Sequence, residues 1–206
     1  MNPQVLDRRC IIGVTLILAA VGFLSAPFRA TAQPEYVVKP VAEKKLKQLP
    51  AGPLYWRVEN FSTLAQAQAA EGPASLVADV AGRVWLFTLD PKGSATTGGS
   101  NVVEIGPVPA ISAPEYLLRI NYAEGLPGAK TPVHTHPGSE TFYVLTGKLG
   151  QKTPHGEMHV EAGQSMAGHA PGMPMQVFSS GNSDLTALVM FVVDATKPFS
   201  SPAKFE

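Results

Sequence analysis

Beyond residue 100 the chain alternates apolar and polar positions in short runs, each cut by Gly or Pro, as in "GAKTPVHTHPGSETFYVLTG" over residues 128–147. Alternation with a period of two is the signature of strands with one face buried. It predicts strands near 102–105, 115–123, 131–136, 140–146, 148–153, 157–161, 164–169, 175–179 and 185–193. Strands this short, evenly spaced and separated by turn residues, favour an all-β barrel or sandwich over an α/β sheet.

The pattern before residue 100 is mixed. "LYWRVENF" (54–61) and "RVWLFTL" (83–89) have strand composition. "STLAQAQAAEG" reads as a short helix with Ser62 as N-cap and Gly72 past its end. "ASLVADVA" admits helix or strand, and "DPKGSATTGGS" reads as a flexible loop. Residues 33–53 are Pro-rich and charged, which suggests an extended arm in which "VAEKKLKQL" (41–49) could form one or two helical turns. The chain therefore divides into 1–32, an arm at 33–53, an extension at 54–100 packing on a barrel, the barrel at 101–197 and a tail at 198–206.

Residues 1–32 read as an export signal. Arg8 and Arg9 precede an apolar run from Cys10 to Ala26, and Ala30 and Ala32 fit the small-residue cleavage rule. The run is shorter than the roughly 20 apolar residues of a spanning helix, and Gly13, Gly22 and Ser25 dilute it. The expectation is a periplasmic or secreted protein with no stable membrane span once the signal is cleaved; an uncleaved anchor is the competing reading. Cleavage after Ala32 would remove Cys10, the single cysteine, and leave 13 basic against 15 acidic residues. Such a chain has no thiolate chemistry and no basic surface shaped for nucleic acid, so small molecules are the expected partners.

In a strand reading of residues 131–146, His134 and His136 point the same way, and Glu140, Phe142 and Val144 share a face opposite Thr141 and Tyr143. If that face is the interior, two imidazoles and a carboxylate converge among apolar groups. Such a set suits Fe, Mn, Cu, Ni or Zn as a divalent ion.

The order Gly128, His134, His136, Glu140, Gly147 resembles the first sequence motif of the cupin family at every fixed position. Gly128 would let the chain turn into the strand, Pro137 and Gly138 would bend it back, and Gly147 would take the positive φ of the next hairpin. The resemblance implies a double-stranded β-helix, a jelly-roll barrel over the last 90 to 100 residues, often dimeric, with a metal near its centre. It does not cover the residues before about 100. The second cupin motif brings a further histidine, but "GQSMAGHAPGMPMQVF" places Met175 where that histidine belongs. A thioether there would be a weak fourth ligand favouring copper, or a gap-filling side chain. His169, six residues earlier, is the substitute ligand or a histidine at the barrel mouth. The polar row His155, Glu157, His159 and Glu161 reads as a solvated outer face. Tyr122, Tyr143, Arg119 and Gln176 could contact a substrate or serve packing and surface roles.

The candidate metal ligands are therefore His134, His136, Glu140 and Met175, and no catalytic acid, base or nucleophile is identified. Two readings follow. One is an exported metal-dependent cupin, an oxygenase-type oxidoreductase (a cupin dioxygenase) acting on a small organic substrate. The other is a non-catalytic periplasmic module for a metal or small ligand, or a metal-free cupin.

Overall fold

The computed structural model describes Met1 and residues 34–205, so the expected export signal beyond Met1 and its expected cleavage site lie outside the described residues. In chain order the elements are β1 (Tyr36–Leu46), β2 (Leu54–Phe61), α1 (Leu64–Ala69), β3 (Ser75–Val80), β4 (Arg83–Pro91), β5 (Ser100–Ile105), β6 (Tyr116–Gly125), β7 (His134–Thr135), β8 (Gly138–Thr146), β9 (Lys148–Thr153), β10 (Gly156–Glu161), β11 (Ser165–Met166), β12 (Gln176–Ser179), β13 (Leu185–Asp194) and β14 (Ser201–Pro202). The fold is all-β, and its strand pairs are antiparallel.

A five-stranded sheet in the order β1-β6-β13-β8-β11 forms one wall of the barrel. The three-stranded sheet β10-β9-β12 and the short pair β14-β7 form the facing side, and β3-β4-β2-β5 make a separate four-stranded sheet. Residue parity explains how these layers meet. On β6, Leu117 and Ala123 face the barrel interior with Phe142, Val144, Val177 and Val189. Their neighbours Leu118 and Ile120 face outward and join Trp56, Trp85 and Phe87 of the four-stranded sheet in a second core. The large sheet is thus buried on both faces, which is why β13, "LTALVMFVVD", runs apolar without alternation.

The N-terminal segments differ from the sequence expectation. Residues 41–46 continue a strand rather than forming helical turns: β1 pairs along β6 from Tyr36↔Gly125 to Leu46↔Tyr116, with a shift between Pro40 and Ala42. A charged sequence suits this edge position, where Lys39 and Lys45 meet Glu124 and Glu115 across the surface. The ambiguous segment is β3, which pairs with β4. β5, grouped by the sequence with the barrel, pairs instead with β2 in the outer sheet. The helix cap is Thr63, whose hydroxyl accepts from the Gln66 amide, rather than Ser62. The loop after β4 is anchored: the buried Glu59 carboxylate accepts from the Thr97 amide and hydroxyl, and Arg57 donates to the Ser94 carbonyl. Arg57 and Glu59 also pair with each other at 3.1 Å, so each buried charge is matched.

Candidate metal centre

The segment from Pro132 to Glu140 places three ligand-bearing side chains on one side of the backbone. His134 is held in register by reciprocal hydrogen bonds with Met175, its amide donating at 2.9 Å and its carbonyl accepting at 2.8 Å. Gly138 then crosses β13 so closely that a Cβ would lie 2.1 Å from the Val192 carbonyl oxygen, so only glycine fits. Two residues later Glu140 pairs with Phe191 and points inward. Gly147 takes the positive φ expected of it, 71°, and Gly128 makes its turn into the strand with a φ of 82°.

His134, His136 and Glu140 each offer a ligand atom, and these atoms lie within 4.8 Å of one another. His136 and Glu140 are buried; His134 is half-buried. Both imidazoles are oriented through Nδ1, which meets the Pro132 carbonyl at 2.9 Å in His134 and the Phe199 carbonyl at 2.6 Å in His136. A carbonyl oxygen only accepts, so Nδ1 carries the hydrogen and the Nε2 lone pair is left as a ligand.

The electrostatics agree with a cation-binding role. Burial lowers His136 to about 4, against a smaller opposing effect of the Phe199 carbonyl. Burial alone raises Glu140 to about 8. His136 Nε2 and Glu140 Oε1 are 3.9 Å apart, within ion-pair range, but these shifts make one neutral and the other protonated near pH 7, so they form no ion pair between themselves. Two imidazole nitrogens and a buried carboxylate without a cationic side chain beside it fit a divalent ion, which would stabilise the charged carboxylate.

Met175 is buried and its sulfur accepts from the Gln151 side-chain amide at 3.4 Å. The same amide faces Glu140 Oε2 at 3.4 Å, and the Gln151 carbonyl oxygen bonds His169 Nε2 at 2.8 Å. His169 is thus linked to the centre through Gln151 and is outside the three-residue group. Gln151 was not among the sequence candidates. On β9 it shares the inward phase of Leu149 and Thr153, a parity that the strand pattern gives, but its full burial beside the centre is decided by the fold.

On the other side of the ligands lies a cavity of about 400 Å³, bounded by His134, His136 and Glu140 and by Phe142, Phe191 and Phe199. Neither Met175 nor Gln151 borders it. Tyr36 and Asn121 do, and the sequence reading missed both, Tyr36 because it fell in the supposed arm. Phe199 comes from the expected tail; its ring packs 4.8 Å from that of His136 and 4.9 Å from that of Phe191.

The remaining candidates lie elsewhere. Tyr143 faces outward against Trp85, and Tyr122 packs on the same outer core. Gln176 donates to the Thr131 carbonyl at 2.8 Å. The Arg119 guanidinium covers the Phe199 ring at 3.8 Å, behind the cavity rather than in it. His159 contacts Ser180 and Phe178 on the outside of β10.

The family described as "Cupin domain" matches residues 122–191, a span that includes all three ligands and Gln151. No curated protein matches the chain. Several solved structures resemble part of it. A dimethylsulfoniopropionate lyase from Ruegeria pomeroyi is 21% identical over 42% of this chain and 43% of its own, with a TM-score of 0.37. A cupin-like protein from Thermotoga maritima is 16% identical over 43% and 65%, at 0.39. A protein with a double-stranded β-helix domain from Klebsiella pneumoniae is 24% identical over 42% and 75%, at 0.37. The chain spans less than two thirds of the first two. At such distances nothing about activity passes to this chain.

Proposed function

From the match of residues 122–191 to the cupin domain family, we propose that the chain is an exported metal-dependent oxidoreductase of cupin type acting on a small organic molecule. His134 Nε2, His136 Nε2 and a Glu140 carboxylate oxygen would hold a divalent ion. The observation that carries this reading is that three ligand atoms within 4.8 Å of one another border a cavity of about 400 Å³. Structural metal sites are closed by protein ligands, whereas a centre beside a ligand-sized cavity keeps positions for substrate.

When bound, a redox-active ion of this ligand type supplies Lewis acidity and coordination positions for an organic substrate and O₂. The chain's own residues bind, orient and exclude water. The Pro132 and Phe199 carbonyls keep the imidazoles in the liganding tautomer, Gln151 holds the second oxygen of Glu140, and the phenylalanine wall gives the cavity a low dielectric. Among the described residues no buried acid or base outside the ligand set stands over the cavity except Tyr36, so the chemistry is assigned to the ion rather than to proton transfer by a side chain.

Elemental analysis of the purified chain followed by an oxygen-uptake screen tests this. Stoichiometric iron or manganese with substrate-dependent O₂ consumption is expected. Met175, with its sulfur beside the Glu140–Gln151 contact, favours the second reading, a non-catalytic copper module. Bound copper without turnover would select that reading instead.

A further inference from the structure

The cavity wall carries two polar groups that no described residue satisfies. The Tyr36 hydroxyl and Asn121 Oδ1 are both buried without a hydrogen-bond partner, and both residues border the cavity. Asn121 is only 2% exposed. They sit on neighbouring strands but at different levels of the wall, Tyr36 opposite Gly125 and Asn121 opposite Pro40. A buried polar group left unmatched is costly, so an unmatched pair on the wall of a cavity points to a ligand that matches it.

Charge narrows the class further. Among the described residues no Lys or Arg borders the cavity. Arg119 shares the inward face of β6 but is engaged with Glu43 and the Phe199 ring. A divalent ion held with one carboxylate leaves a single net positive charge, enough to balance one anionic oxygen and no more. A second negative charge would be buried unpaired among aromatic rings.

We propose that the site takes a neutral or singly anionic, largely apolar ring compound, which meets the metal group through one oxygen and offers a separate hydroxyl to the wall at Tyr36 or Asn121. This rests on the metal reading for the first contact, whereas the second depends on the cavity wall alone. The ring lies against Phe142, Phe191 and Phe199. That hydroxyl donates to Asn121 Oδ1 or accepts from the Tyr36 phenol, which burial keeps protonated. Dicarboxylates and phosphates are excluded.

Calorimetric titration of the full chain with three probes tests the proposal: 2-hydroxybenzyl alcohol, 2-methylphenol, which lacks the second hydroxyl, and phthalate, a dianion of similar size. The alcohol is expected to bind about tenfold more tightly than the phenol, the scale of one well-made hydrogen bond in a buried site. Phthalate is expected to be at least about tenfold weaker than either. Tyr36→Phe combined with Asn121→Leu should reduce the preference for the alcohol to about twofold or less while leaving 2-methylphenol affinity within about twofold, since both changes keep the wall filled. Thermal melting of the double variant checks that the fold is intact. Phthalate binding as tightly as the alcohol, or a hydroxyl preference that survives both substitutions, would overturn the proposal. Metal content, measured on the same samples, reports separately on the metal reading. If no metal is taken up that reading fails, yet the hydroxyl preference and its loss when both residues are substituted are still expected in the metal-free chain.

Discussion

The imidazole of His136 donates its Nδ1 hydrogen to the carbonyl oxygen of Phe199 at 2.6 Å, across 63 residues of sequence. That bond sets the tautomer of a buried ligand from a segment that lies outside the matched family span, 122–191. The C-terminal segment is therefore part of the site: its ring walls the cavity and its backbone aims a ligand.

A chain ending at Pro198 loses both contributions. Its apo form should keep the barrel, because β14 contributes only two residues, but metal affinity should fall by about 10- to 100-fold, the usual effect of losing a partner that orients a liganding imidazole. Metal titration alongside circular dichroism measures both.

Substituting the ligands themselves should have a larger effect. His134→Ala or His136→Ala is expected to abolish stoichiometric metal with the fold retained; unchanged metal content in either would remove the residue from the ligand set. Met175→Leu should leave iron binding nearly intact and lower only copper affinity, since the volume is conserved and a soft donor is lost.

Proton linkage gives a pH signature. In the metal-free chain Glu140 is raised to about 8 and His136 lowered to about 4, so near pH 7 an incoming ion displaces a proton from the carboxyl and none from the imidazole. Apparent metal affinity should rise about tenfold per pH unit up to about 8 and level off above it. Calorimetry in buffers of different ionisation enthalpy should count about one proton released per ion at pH 7.

The same shifts act on the stability of the metal-free fold. The Glu140 contribution is present below its ordinary value of 4.5 and is lost as pH rises towards 8, whereas that of His136 is present above 6.5 and lost as pH falls towards 4. Between 4.5 and 6.5 the two nearly cancel, leaving a decline from about 6.5 to 8 that Glu140 alone produces. Melting temperatures across that window should fall in the unmodified metal-free chain and stay level in Glu140→Gln.

Trp85 separates the scaffold from the site. It is fully buried between the outer sheet and the large barrel sheet, with Phe87 stacked at 6.3 Å and Tyr143 edge-on at 6.4 Å. Trp85→Ala should cost about 3–5 kcal/mol of stability through the cavity it leaves. Metal affinity measured below the melting transition should be unchanged, because Tyr143 points away from the ligands.

The sequence alone determined what is local and periodic. The phase of "VHTHP" and "ETFYVL" set His134, His136, Glu140 and Phe142 on one face, and the glycine positions marked the turns, because a strand's side-chain direction depends only on residue parity. Only the tertiary structure decided what meets that face. Tyr36, Asn121, Gln151 and Phe199 come from four separated segments, and nothing in their own neighbourhoods marks them as sharing a centre. Charge content made Tyr36–Leu46 look like a loose arm, but pairing with β6 supplies the hydrogen bonds and the apolar cover that its own sequence lacks. Long-range pairing overrides local propensity wherever the backbone finds a strand to complete.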